Sequence, residues 1–153
     1  MTISVRGRGN DAVVTPTVHI SESEGETLSL GARLARRLRA GMVVALAGDL
    51  GAGKTVFSRG IARELGIDEP VTSPTYNVVQ EYQCPSGIWL FHLDMYRIHG
   101  EEDALAFGVE EYLFSPDGIA VIEWPGRIAG LLEPDLGGGA MPPDELVKVT
   151  IRH

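Results

Sequence analysis

Cysteine is all but missing from this chain of 153 residues, where Cys84 stands alone. A single thiol cannot close an intramolecular disulfide, and no Cys and His at metal-ligand spacing accompany it, so a disulfide scaffold is excluded and a reducing compartment is expected. Long apolar runs are lacking too. None approaches the ~18 residues that a membrane span requires, and residues 1–10 are polar with Gly and Arg rather than apolar like a secretory leader. A cytoplasmic protein with no membrane association is expected. Positive charge is scarce, with 13 Lys and Arg against 21 Asp and Glu for a net charge of −8. That balance argues against a broad nucleic-acid-binding face, and it repels polyphosphate unless positive charge is concentrated locally. The length and the 44% hydrophobic content suit one compact domain.

Residues 1–17 lack periodicity and read as a mobile N-terminal arm, with Val18-His19-Ile20 as a short edge strand, and residues 18–153 read as a single nucleotide-binding domain. Ser23 and Glu26 have capping-box spacing, and Thr27, Leu30, Leu34 and Leu38 then share one helical face, so a helix is expected as far as Gly41. The run Val43 to Ala47 is that of a strand buried on both faces. Phe57, Ile61 and Leu65 mark a helix from Lys54, stopped by Gly66. Further on, 77–82 and 88–93 read as strands joined by a hairpin at Cys84–Gly87, 101–107 as helix, 119–122 as a buried strand closed by Glu123, and 146–151 as a last strand. Gly137-Gly138-Gly139 reads as a flexible connector.

Between the first buried strand and its helix lies Gly48-Asp49-Leu50-Gly51-Ala52-Gly53-Lys54-Thr55, which matches G-x-x-x-x-G-K-[ST] in the context that the motif demands. Glycines let the backbone wrap phosphate oxygens with its N–H groups turned inward, and the helix N-terminus adds partial positive charge. Lys54 is placed to reach the β- and γ-phosphates of ATP, and the Thr55 hydroxyl to serve Mg2+, a cation that prefers oxygen ligands. A loop of this kind also needs a carboxylate at a neighbouring strand end, to hold the metal or polarise the attacking water. Asp94 and Glu123 each close an apolar run and are the two candidates. His92 shares a strand face with Asp94, but two ligands do not make a metal site, and a hydrogen-bonded structural histidine is expected there.

These residues carry a resemblance that physics alone does not name. Leu46 to Thr55, Ser73-Pro74-Thr75-Tyr76, His92-Leu93-Asp94-Met95-Tyr96-Arg97 and Ile122-Glu123-Trp124, in this order and spacing, resemble the TsaE (YjeE) family, the ATPase of tRNA threonylcarbamoyladenosine biosynthesis. The resemblance covers about residues 21–135. It implies an α/β, three-layer P-loop NTPase fold with a four-stranded parallel core extended by antiparallel strands. It also implies ATP or ADP with Mg2+ at the loop, and partners of the TsaD and TsaB type, the threonylcarbamoyl-transferring subunits, with tRNA met only through them. By the same resemblance Thr55, Asp94 and Glu123 serve the magnesium, Glu123 and Trp124 complete the nucleotide site, and Thr75 approaches the γ-phosphate from a switch-like loop. Pro74 restrains Ser73 to extended backbone and so places Thr75. One departure stands out: Gly126 occupies the place, two after the Trp, where the family commonly has an acid.

The rival readings are a small-molecule P-loop kinase, a GTPase switch and a direct RNA-binding protein. The first lacks an Arg-rich lid segment after the loop helix. The second lacks an Asn-Lys-x-Asp stretch for guanine, and the third is opposed by the acidic charge.

Overall fold

The apolar run 43–47 lies inside β3 (Met42–Gly48), at the centre of a seven-stranded sheet. The computed structural model describes residues 2–7, 17–72, 77–133 and 145–152, with the backbone alone for 2–7 and Glu145. The other strands are β1 (Thr2–Gly7), β2 (Thr17–Ile20), β4 (Val79–Gln83), β5 (Trp89–Asp94), β6 (Gly118–Glu123) and β7 (Glu145–Arg152), in the order β2-β1-β7-β3-β6-β5-β4. Strands β7, β3, β6 and β5 run parallel, while β1, β2 and β4 join antiparallel at the margins. The resemblance implied this arrangement, a four-stranded parallel core with antiparallel extensions.

Helices α1 (Glu24–Ala35) and α2 (Lys54–Glu64) cover one face, and α3 (Glu101–Ala106), α4 (Val109–Leu113) and α5 (Ala129–Leu132), the last preceded by a 3-10 turn at Pro125–Ile128, cover the other. Alternation inside the strands divides the core accordingly. Val44 and Leu46 of β3 and Ile119 and Val121 of β6 pack toward Phe57 and Ile61 of α2, whereas Val43, Ala45, Ala120 and Ile122 pack toward Val109, Leu113 and Leu131. Burial on both faces is the reason these strands read as unbroken apolar runs rather than alternating ones.

Three details differ from the sequence expectation. Residues 2–7, assigned above to a mobile arm, form β1, which pairs with β2 on one side and with β7 on the other. A strand this short is held by ladder hydrogen bonds that the otherwise open edge of β7 demands, and that leaves little trace in side-chain pattern. Next, α1 ends at Ala35 rather than running to Gly41. The backbone tightens into turns there (Arg37 N to Leu34 O 2.9 Å, Leu38 N to Ala35 O 3.1 Å), and Leu38 still packs on the core, which prolongs the helical spacing beyond the helix. Finally, α4 and α5 went unread because five and four residues are too few to show a period. The N-terminal cap was legible: Ser23 Oγ accepts from Glu26 N at 3.1 Å, and Glu26 reaches back to Glu22 N at 2.5 Å. The hairpin also forms, with Gly87 N donating to Cys84 O at 2.9 Å. The connector at 137–139 lies outside the described residues.

What brings α1 to the functional edge is a close crossing with α2. A Cβ on Gly31 would sit 2.3 Å from Phe57 O, and one on Gly60 would sit 2.2 Å from Leu28 O, so each helix presents bare backbone to the other. Gly60→Ala should therefore force the helices apart at a cost of about 1–3 kcal/mol, seen as a fall in Tm of about 3–10 °C in thermal denaturation. An unchanged Tm would mean that the contact is slack.

Candidate functional site

All four parallel strands point their C-terminal ends to one edge of the sheet, where ligands of open α/β sheets bind. From β3 the chain turns through 49–53 into α2. Gly51 (φ 77°) and Gly53 (φ 107°) both occupy the left-handed region open to glycine, and no side chain caps the N-terminus of α2. The loop thus presents backbone and helix dipole to the cleft.

Lys54, the first residue of α2, is 6% exposed. Its Nζ donates to Gly48 O at 2.6 Å and to Asp49 O at 2.9 Å, and lies 4.4 Å from the centre of the Trp124 ring. Burial pushes its pKa below the usual lysine value, while the carboxylates of Glu123, Asp94 and Asp49 pull it back up. Trp124 is the sole non-glycine residue with positive φ (58°) among those described. A bulky side chain held in that conformation costs about 1–3 kcal/mol, and such strain collects at functional sites. Tyr96 flanks it, with ring centroids 5.1 Å apart.

The two carboxylates expected at strand ends do meet here. Parallel pairing of β5 with β6 sets Asp94 opposite Glu123. Asp94 Oδ1 accepts from Tyr96 N at 2.9 Å, and its pKa is raised, first by burial and then by the Glu123 charge; the Tyr96 amide, His92 and Lys54 oppose the shift. Glu123 is 3% exposed, and its Oε2 lies 2.7 Å from His92 Nε2. His92 is therefore buried and hydrogen-bonded, as expected, but its partner is a site carboxylate.

A cleft of about 540 Å3 joins these groups, lined by Leu50, Gly51, Gly53, Lys54, Thr55, Asp94, Glu123 and Trp124. Gly48 and Asp49 face an adjoining hollow that Trp124 also lines, and Ala52 is buried in the core beneath the loop. Glu24 and Thr27 of α1, together with Tyr96, line the cleft as well and were not singled out from sequence. For the α1 pair no sequence signal existed, because their position depends on the Gly31–Gly60 crossing; Tyr96 stood in the quoted motif. Thr75 lies outside the described residues. Gly126 is exposed, with nothing within 4 Å of a Cβ added there, so its place would accept the family's acid sterically.

Among the described residues no three or more His, Cys, Asp and Glu cluster closely enough to hold a metal ion. Thr55 and Asp94 could supply oxygens to Mg2+ only as part of a shell completed by ligand phosphates and water, which is how that ion is commonly bound. No helix among the described residues is long and apolar enough to cross a membrane.

Comparison with known proteins bears on the family and the fold. The family model for "Threonylcarbamoyl adenosine biosynthesis protein TsaE" matches residues 21–151. The chain is similar to the tRNA threonylcarbamoyladenosine biosynthesis protein TsaE of Treponema pallidum, 40% identical over 113 residues, which cover 74% of this chain and 82% of that protein. It is also similar to the protein of the same name from Bacillus subtilis, 38% identical over 129 residues, covering 84% and 72%. Among solved structures it resembles the crystal structure of Bacillus subtilis YdiB, with a TM-score of 0.63, 28% identity, and coverage of 86% of this chain and 73% of that one.

The raised pKa of Asp94 has a consequence for stability. Folding disfavours its ionised form, so near pH 7 the charge destabilises the native state, and the penalty disappears as pH falls below the unfolded value. Asp94→Asn, which imitates the neutral acid and keeps an acceptor for Tyr96 N, should raise the Tm of the ligand-free protein at pH 7. A lower Tm would show that the carboxylate is held by net favourable interactions.

Proposed function

The chain belongs to the TsaE family, and we propose that it serves tRNA threonylcarbamoyladenosine biosynthesis as an Mg2+-dependent ATPase that is slow alone and accelerated by its partners. The observation that carries this reading is the charge inventory of the cleft. Among the described residues Glu24, Asp94 and Glu123 line it, and Lys54 is the only Lys or Arg that does. A polyphosphate entering such a site meets more negative than positive charge, so Mg2+ has to accompany it.

In this reading the loop 48–53 cradles the phosphates through backbone N–H groups, and Lys54 leaves the loop carbonyls to pair with the β- and γ-phosphates. Thr55 and Asp94 serve Mg2+, directly or through water. Glu123 orients the attacking water, and Trp124 closes the side of the site where its ring already meets the Lys54 ammonium. By resemblance Thr75 contributes near the γ-phosphate.

Phosphoryl transfer is catalysed by positioning and by positive charge delivered to the transition state. Arg97 and Arg127, the nearest arginines in sequence to the two carboxylates, are exposed and do not line the cleft. The missing charge is therefore expected from another protein, with subunits of the TsaD and TsaB type as the proposed donors; tRNA is met through them. A finger supplied in trans is worth about 10³–10⁵ in rate.

Steady-state ATP turnover by the purified protein, alone and with the threonylcarbamoyl-transferring subunits, tests the reading. Low turnover alone, a large rise with the subunits, and loss of both binding and turnover in Lys54→Ala are expected. Rapid turnover alone that the subunits leave unchanged would favour a phosphotransferase acting on a small acceptor instead.

A further inference from the structure

Deep beneath the cleft, His92 and Glu123 form a pair almost sealed from solvent, with side-chain exposures of 1% and 4% and a Nε2 to Oε2 distance of 2.7 Å. The strands impose this contact. His92 and Asp94 sit on the same face of β5, Asp94 stands opposite Glu123, and His92 stands opposite Val121, so the imidazole reaches diagonally to the end of β6. The two ring nitrogens are not equivalent. Nδ1 is buried and has no hydrogen-bond partner among the described residues. A buried nitrogen left in that state costs about 1–3 kcal/mol, so packing alone would favour an apolar residue of similar volume.

Which nitrogen carries the proton follows from the contact. A bare Nε2 facing a carboxylate oxygen at 2.7 Å would set two lone pairs against each other, so Nε2 bears the hydrogen and donates to Glu123. We propose that His92 is a positioning residue: its Nε2–H holds one oxygen of Glu123 below the cleft and thereby turns the other toward the bound nucleotide. A glutamate side chain has three rotatable bonds, and this hydrogen bond restricts the rotamers open to it beside Lys54, with whose charge it interacts. The burial of His92 on the same face as Asp94 makes the anchor rigid, because neither β5 nor β6 can shift without breaking the parallel ladder.

The inference rests on the reading of Glu123 as the carboxylate that orients the attacking water, and two experiments separate the failure of one from the failure of the other. The first uses a pair of amide substitutions in the full chain. The amide nitrogen of His92→Gln reaches the place of Nε2, whereas that of His92→Asn reaches only the place of Nδ1, on the side away from Glu123. With the partner subunits and Mg·ATP, His92→Asn should lower kcat about 10–100-fold, the usual effect of losing a supporting hydrogen bond behind a site ligand. Its affinity for a fluorescent ATP analogue should stay within about threefold, and His92→Gln should recover most of the rate. In a Glu123→Gln background, His92→Asn should cause no further loss, because a residue acting through Glu123 has nothing left to position. Equal losses in both backgrounds, or a Gln variant as slow as the Asn variant, would overturn the proposal.

The second experiment needs no turnover. Ring-nitrogen NMR of the free protein should show His92 protonated at Nε2 with Nδ1 bare, and that Nε2–H signal should shift on Glu123→Gln. If ATP turnover proves absent even with partners, the ATPase reading fails while this signature still decides the anchor. A bare Nε2, or a signal indifferent to Glu123, would overturn it.

Discussion

Lys54 has to be held almost out of solvent, between two loop carbonyls and the ring of Trp124, and much of the architecture answers that demand. An ammonium taken from water is tolerated only where opposite charge and oriented dipoles replace the hydration it loses. Here the replacement comes from three directions: the carbonyls of Gly48 and Asp49, the aromatic face of Trp124, and the carboxylates of Asp94 and Glu123. Each source depends on a different element, respectively the end of β3, the strained turn after β6, and the ends of β5 and β6. The cost of burial is therefore distributed over the same elements that shape the cleft.

That arrangement leaves the site electrostatically unfinished. Burial of Asp94, and after it the neighbouring Glu123 charge, raise its pKa despite a lysine, a histidine and a backbone amide nearby. A site in this state gains when a divalent cation and a polyphosphate enter together, since the cation relieves the carboxylates and the phosphates take over the lysine. The strained backbone of Trp124, at φ 58°, accompanies the placement of its ring beside the ammonium.

The parts of this account that were legible in the sequence are those governed by local pattern. Gly48 to Thr55 announced a loop, the run 119–122 a buried strand, and Ser23 a helix cap, because glycine spacing, apolar continuity and capping chemistry are short-range properties. Asp94 and Glu123 were recognised as strand-end acids, and their direct opposition follows from a register that only the fold supplies. Glu24 and Thr27 were invisible as lining residues, since α1 reaches the cleft through a backbone contact between Gly31 and Gly60. The role of β1 was missed for a related reason: its place is set by ladder hydrogen bonds, which carry no side-chain signature. His92 shows the limit most clearly, because the ring of a histidine expected to be merely structural is hydrogen-bonded to a carboxylate that lines the cleft.

The central claim is that a cleft with one lysine and several carboxylates accepts ATP only with its cation. Calorimetric titration of the purified chain with ATP, in Mg2+ and then in a chelator at equal ionic strength, tests this most directly. The account predicts binding about 100-fold or more tighter with Mg2+, on the scale of one relieved charge contact in a partly buried site. Equal affinity in the two conditions would contradict it, since the lysine and loop backbone would then suffice against the carboxylates.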